Sequence, residues 1–172
     1  MPQPLLVVVA GPPGSGKTTL ARELARAIPC PAICRDDIKE GLVHGLPGYK
    51  PAPGDAEALR TLEIFVGVVV YLLDAGVSLV AEAAFQHAVW EPRMTPLLGR
   101  ARVRVVHCQT DPAVAWERIE RRSADPTRRA IHGVSGQTRD FDPVRLPVPS
   151  IEVDTTDGYT PPLEEIVAFV SR

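Results

Sequence analysis

Six apolar residues stand in a row at Leu5–Ala10, with no alternation to polar positions. A strand buried on both faces of a parallel sheet has this pattern. Similar short stretches recur at Pro31–Cys34, Val77–Ala81, Val103–His107 and Ile151–Thr155. Between them the apolar positions switch to helical spacing. Leu20, Leu24, Ala27 and Ile28 line one side of a helix from Lys17 to Ile28, which Pro29 stops. Asp36 or Asp37 is placed to cap a helix through Leu42. Asp55 is placed to cap a longer helix through Leu73, with Gly76 as its C-terminal stop. Ala88–Leu98 has a helical pattern broken by Pro92 and Pro96. Asp111-Pro112 opens a helix to Arg121 or Arg122, and Pro161-Pro162 lead into a last one, Leu163–Val170. Strands that alternate with helices predict an α/β fold around a parallel sheet.

Two stretches carry no period. Gly45–Gly54 is a Pro/Gly-rich loop. Ser123–Pro149 is irregular and long, as functional lids are. With no linker and no repeat, residues 1–172 read as one domain whose lid covers about 123–149.

Composition narrows the classes. The chain has 172 residues and a net charge of −2, so its surface as a whole does not attract polyanions. The longest apolar run, Ile64–Leu73, is ten residues, half of what a membrane span of about 20 needs. Leu5–Ala10 lacks the basic region of a signal peptide. Three cysteines, Cys30, Cys34 and Cys108, form no disulfide framework. These features point to a cytoplasmic protein with no membrane partner, and nothing calls for an obligate protein partner. There is no Asn anywhere, so the Asn-Lys-x-Asp guanine-reading motif is absent.

The chemistry is concentrated after the first strand. Gly11, Pro12, Pro13, Gly14, Ser15, Gly16, Lys17 and Thr18 satisfy G-x-x-x-x-G-K-[ST] between a buried strand and an amphipathic helix. Backbone N–H groups in such a loop cradle phosphates, and the helix N-terminus adds positive potential. Lys17 reaches the β- and γ-phosphates, the Thr18 hydroxyl ligates Mg²⁺, and Thr19 completes the nucleotide-binding set. ATP and Mg²⁺ are therefore the expected cofactors. Three classes share this loop. Without Asn, a switch GTPase loses its base-reading motif. Val80-Ala81-Glu82 offers only one acid where mechanical ATPases end a strand in two.

The phosphate loop followed by Cys34-Arg35-Asp36-Asp37-Ile38-Lys39 resembles the small P-loop kinase group. These AAA-type ATP-binding kinases include phage polynucleotide 5′-hydroxyl kinase, zeta-toxin kinases, chloramphenicol phosphotransferase and gluconate kinase. The resemblance implies a three-layer P-loop fold, a five-stranded parallel sheet of order 2-3-1-4-5, and an arginine-rich lid. It also implies that Asp36, the first acid of the run, is the general base. A carboxylate suits that role, because an attacking alcohol must lose its proton during transfer.

Around Asp36, the residues Arg35, Asp37, Lys39, Glu82 and Phe85 form the expected acceptor set, with Gln86, His87 and Tyr49 nearby. Glu82 ends a buried strand, where it serves either the Mg²⁺ shell or the acceptor. Arg118, Arg121, Arg122, Arg128 and Arg129 cluster toward the lid. Guanidinium groups match the charge spread over a transferring phosphoryl group. By the resemblance, Arg121 is the helix-end arginine and Arg128 or Arg129 the one that swings in. The same resemblance implies that Asp154 and Thr155 lie by the adenine. The expected activity is ATP-dependent phosphorylation of a hydroxyl on a small molecule. A polynucleotide 5′-hydroxyl acceptor is the alternative, and an acceptor-free nucleotide switch is the competing class.

Overall fold

The computed structural model describes residues 3–52, 55–132 and 141–172. Five strands, β1 (Leu5–Ala10), β2 (Ala32–Cys34), β3 (Leu79–Glu82), β4 (Arg102–Gln109) and β5 (Ser150–Asp154), pair in parallel in the order β2-β3-β1-β4-β5. This is the three-layer P-loop arrangement. All six residues of β1 are buried, because it is the central strand. Its side chains alternate between two cores. Leu6, Val8 and Ala10 face α3 (Ala56–Asp74) and α4 (His87–Met94). Leu5, Val7 and Val9 face α1 (Lys17–Ala27) and α7 (Leu163–Ser171).

The capping signals were accurate where a side chain closes the turn. The Asp55 carboxylate accepts from the Ala58 amide at 2.6 Å, starting α3. Asp111 accepts from the Ala113 amide at 2.8 Å, starting α5 (Pro112–Ser123) with Pro112 at its first position. Gly76 takes φ 77° just past α3, the left-handed turn that stops a helix. Near Pro92 and Pro96 the expected break is a shift of helix type: α4 keeps Pro92 inside it and runs into a 3₁₀ turn, Thr95–Gly99.

Two expectations are corrected. Helix α2 spans Arg35–His44 and begins directly after β2, so Cys34 is the residue before its first turn. Asp36 and Asp37 lie inside that turn and do not cap it. There they complement the helix dipole. Secondly, the stretch read as irregular from Ser123 contains α6, Pro126–His132, which packs against α2. Residues 133–140 of the expected lid lie outside the described residues. No helix among the described residues is long and apolar enough to cross a membrane.

Candidate active site

The carboxyl ends of the strands converge. Val9 and Cys34 both pair in register with Glu82, which sets the phosphate loop, Glu82 and the start of α2 side by side. The crevice beyond parallel strand ends is where such sheets bind ligands. The loop is tight: a Cβ at Gly14, at φ 82°, would lie 2.5 Å from the Ala115 carbonyl oxygen of α5. Gly16, at φ 71°, precedes α1 without a side-chain cap. The first amides of α1 are therefore left for an anion, which fits a nucleotide phosphate. The Lys17 ammonium lies 3.9 Å from Glu82 Oε1 and donates to the Pro12 carbonyl at 3.4 Å.

The Thr18 hydroxyl donates to Glu82 Oε2 at 3.2 Å. Glu82 is only 2% exposed. Burial raises its pKa, Lys17 and Thr18 oppose that rise, and the nearby Asp36 charge adds to it. The adjacent Cys34 thiol is pushed up to about 12 by burial and by the carboxylates of Glu82 and Asp37. Among the described residues no group of three His, Cys, Asp or Glu side chains could hold a metal. A hydroxyl and one carboxylate beside a phosphate cradle fit Mg²⁺, which keeps several waters and takes the rest of its oxygens from phosphates.

Helix α2 supplies the other wall. The Arg35 guanidinium donates to Asp36 at 3.3 Å and to the Ala58 carbonyl at 3.4 Å. Asp37 accepts from Arg22 at 2.8 and 3.0 Å and is thereby turned toward α1. Lys39 is buried, its ammonium 5.8 Å from the centre of the Tyr49 ring. The Tyr49 hydroxyl donates to Asp55 at 3.0 Å. Tyr49 thus buttresses Lys39 rather than facing the crevice.

The arginines divide by task. Arg118 donates to the carbonyls of Gly14, Thr155 and Thr156 at 3.3, 2.8 and 3.3 Å, and to the hydroxyls of Thr110 and Thr155. It ties the phosphate loop to the end of β5. The Thr155 hydroxyl reinforces that tie by donating to the Ser15 carbonyl at 2.9 Å. Arg122 feels the carboxylates of Asp36 and Glu82, while desolvation and Arg128 lower its pKa. From α6, His132 pairs with Glu40 of α2 at 3.1 Å.

These elements enclose two grooves. One, of about 630 Å³, is lined by residues of α1 to α6, among them Asp36, Lys39, Glu82, Trp90, Arg128 and Arg129. The other, of about 510 Å³, runs past Gly14, Gly16, Arg121, Thr155, Gly158 and Tyr159. Among the described residues they share only Lys17, Thr18, Thr19 and Arg122.

Most of the expected set meets here: Pro13, Arg35, Asp36, Asp37 and Lys39 on the larger groove, and Gly14, Gly16, Arg121 and Thr155 on the smaller. Phe85 does not. It is fully buried, its ring 4.6 Å from Trp90 and 6.1 Å from Phe65, and it holds φ 51°. Three aromatic rings packed edge to face outweigh the strain of that backbone. Asp154 lines neither groove, and its carboxylate accepts from the Thr156 amide at 2.7 Å. Sequence reasoning missed Glu40, Trp90, His132, Gly158 and Tyr159. Only Glu40 carried a signal: it stands one helical turn after Asp36, on the same face.

A model of the AAA domain family matches residues 6–143. Among solved structures, a candidate kinase from Chloroflexus aurantiacus is 27% identical with a TM-score of 0.86, covering 99% of this chain and 98% of that one. The APS kinase of Mycobacterium tuberculosis, solved with AMPPNP and APS, is 19% identical with a TM-score of 0.65, each chain covered in full at 100%. A sugar kinase from Janibacter sp. HTCC2649 is 18% identical with a TM-score of 0.64, covering 98% of this chain and 95% of that one. No curated protein sequence matches the chain.

Proposed function

The chain belongs to the AAA domain family, and from that premise we propose that it is an ATP-dependent kinase acting on a hydroxyl of a small molecule. The single observation behind this is the pair of grooves that meet at Lys17, Thr18, Thr19 and Arg122. A nucleotide switch has no use for a second groove of this size. A kinase needs one on the far side of the γ-phosphate.

ATP would lie along the smaller groove with its phosphates in the Gly11–Thr18 loop. Thr18 and Glu82 would hold Mg²⁺, which supplies neutralisation of phosphate charge when bound. Asp36, its side chain 58% exposed at the rim of the larger groove, takes the proton of the acceptor hydroxyl as its oxygen forms the new bond to phosphorus. The bond to the leaving oxygen of ADP breaks in the same step. Lys17 holds the transferring phosphoryl group. Arg121 works from the nucleotide side, Arg122 from the junction, and Arg128 or Arg129 from the acceptor side. The segment 123–149 acts as the lid, with α6 its first turn-forming part. We place the reaction in the cytoplasm, where ATP is available and three free thiols are stable.

The test is a screen with γ-labelled ATP against hydroxy acids, sugars, nucleosides, hydroxylated antibiotics and 5′-hydroxyl oligonucleotides. Transfer to a small molecule, lost in Lys17→Ala, is the expected result. Transfer to oligonucleotides instead would establish a polynucleotide kinase. ATP hydrolysis indifferent to every acceptor would establish a switch.

A further inference from the structure

The acceptor groove contains a buried lysine with which no side chain pairs directly among the described residues. Lys17 has Glu82, Arg22 has Asp37, and Arg35 has Asp36. Lys39 lines the same groove, is only 8% exposed, and forms no ion pair and no hydrogen bond among the described residues. Its one close neighbour of note is the face of Tyr49. The nearby acids are committed elsewhere. Asp55 accepts from the Ala52 and Ala58 amides and the Tyr49 hydroxyl. Glu40 faces His132. Burial lowers the Lys39 pKa and Arg35 adds to that, while the charges of Asp55 and Asp36 oppose it without pairing with the ammonium; a buried ammonium with no direct partner is costly. A ligand anion would complete it.

The wall across from α2 has another chemistry. Leu59 and Val89 are 55% and 41% exposed and line this groove, together with Leu62 and Trp90. Exposed apolar side chains inside a groove are suited to an apolar body on the ligand.

On the kinase reading above, we infer that the acceptor is a hydroxylated carboxylic acid with an apolar body. Its hydroxyl meets Asp36, its carboxylate meets Lys39, and its body lies against Leu59, Val89 and Trp90. Asp36 and Lys39 are three residues apart on one helix, about 5–6 Å between their Cβ atoms, so hydroxyl and carboxylate belong to one small molecule. The Arg35 charge is answered by Asp36. That leaves Lys39 as the one Lys or Arg of α2 without an ion pair among the described residues, and a single ammonium matches a carboxylate better than a doubly charged phosphate monoester; Arg122, Arg128 and Arg129, on α5 and α6, are the arginines proposed above for the transferring phosphoryl group.

The experiment is calorimetric binding in the presence of AMPPNP, with transfer from γ-labelled ATP followed on the same compounds. The probes are 3-(hydroxymethyl)benzoate, its uncharged amide, and 3-(hydroxymethyl)phenyl phosphate. The acid is expected to bind at least about tenfold more tightly than the amide, as one charge-assisted hydrogen bond allows. Lys39→Met is expected to erase that ratio and Lys39→Arg to keep most of it. Thermal melting and AMPPNP affinity establish that both variants are folded. Equal binding of acid and amide, tighter binding of the phosphate ester, or a ratio unchanged in Lys39→Met would each overturn the inference. Lys39-dependent acid binding without phosphoryl transfer would keep the anion subsite and remove the kinase. Transfer to the amide or the ester with no Lys39 dependence would do the reverse.

Discussion

The two grooves are made in different ways. The groove proposed for ATP takes its longest run of lining from the segment Gly14–Thr19, whose backbone is held by Arg118 and Thr155. The groove proposed for the acceptor is assembled from side chains on six helices and the end of β3. A wall of backbone is set by local conformation and tolerates little change in shape. A wall of side chains can be re-specified one residue at a time. One fold can therefore keep ATP as donor while the acceptor varies.

The comparison can be broken most forcefully at Asp36. Asp36→Asn should lower kcat by about 10²–10⁴-fold, the usual worth of a general base, with little change in KM for ATP. Steady-state kinetics with both substrates varied would check this. A loss confined to ATP affinity would assign Asp36 to the wrong groove. Next in size is Gly14→Ala. A side chain there meets the backbone of α5 at a φ of 82°, and should cost about 2–3 kcal/mol of stability together with ATP affinity. Thermal melting with and without ATP measures both. Unchanged nucleotide affinity would mean that the loop is less rigid than its packing implies.

The smallest effect sharpens the junction. The pKa of Glu82 is raised in the folded state, so its carboxyl favours folding below its unfolded value near 4.5 and loses that contribution as pH rises through the folded pKa. Glu82→Gln has no such titration. Its melting temperature should therefore gain on that of the wild type as pH rises across this window, then level off. A gap that narrows with pH would show that Lys17 outweighs burial.

Much of the nucleotide side was legible because its determinants are local. The glycine spacing, Lys17 and Thr18 lie within eight consecutive residues. The caps at Asp55 and Asp111 and the left-handed Gly76 are likewise short-range. The acceptor side resisted for the opposite reason. Whether Phe85 faces a ligand or a core depends on Phe65 and Trp90, 20 residues before it and 5 after it in the sequence. Arg118 looks like its lid neighbours until tertiary contacts use up its donors. The α6 helix inside the expected lid has only seven residues, too few to show a period. Nothing in the pattern marked Lys39 as buried, since a lysine on a short helix is ordinarily solvated.

The meeting of both grooves at four residues also constrains stereochemistry. In the proposed reaction, donor and acceptor would approach the same phosphorus from the two sides of Lys17 and Thr18, with no nucleophilic side chain between them. A single in-line displacement turns the phosphorus inside out. ATP made chiral at its γ-phosphorus should therefore deliver a phosphate ester of inverted handedness, and retained handedness would reveal a phosphorylated form of the enzyme.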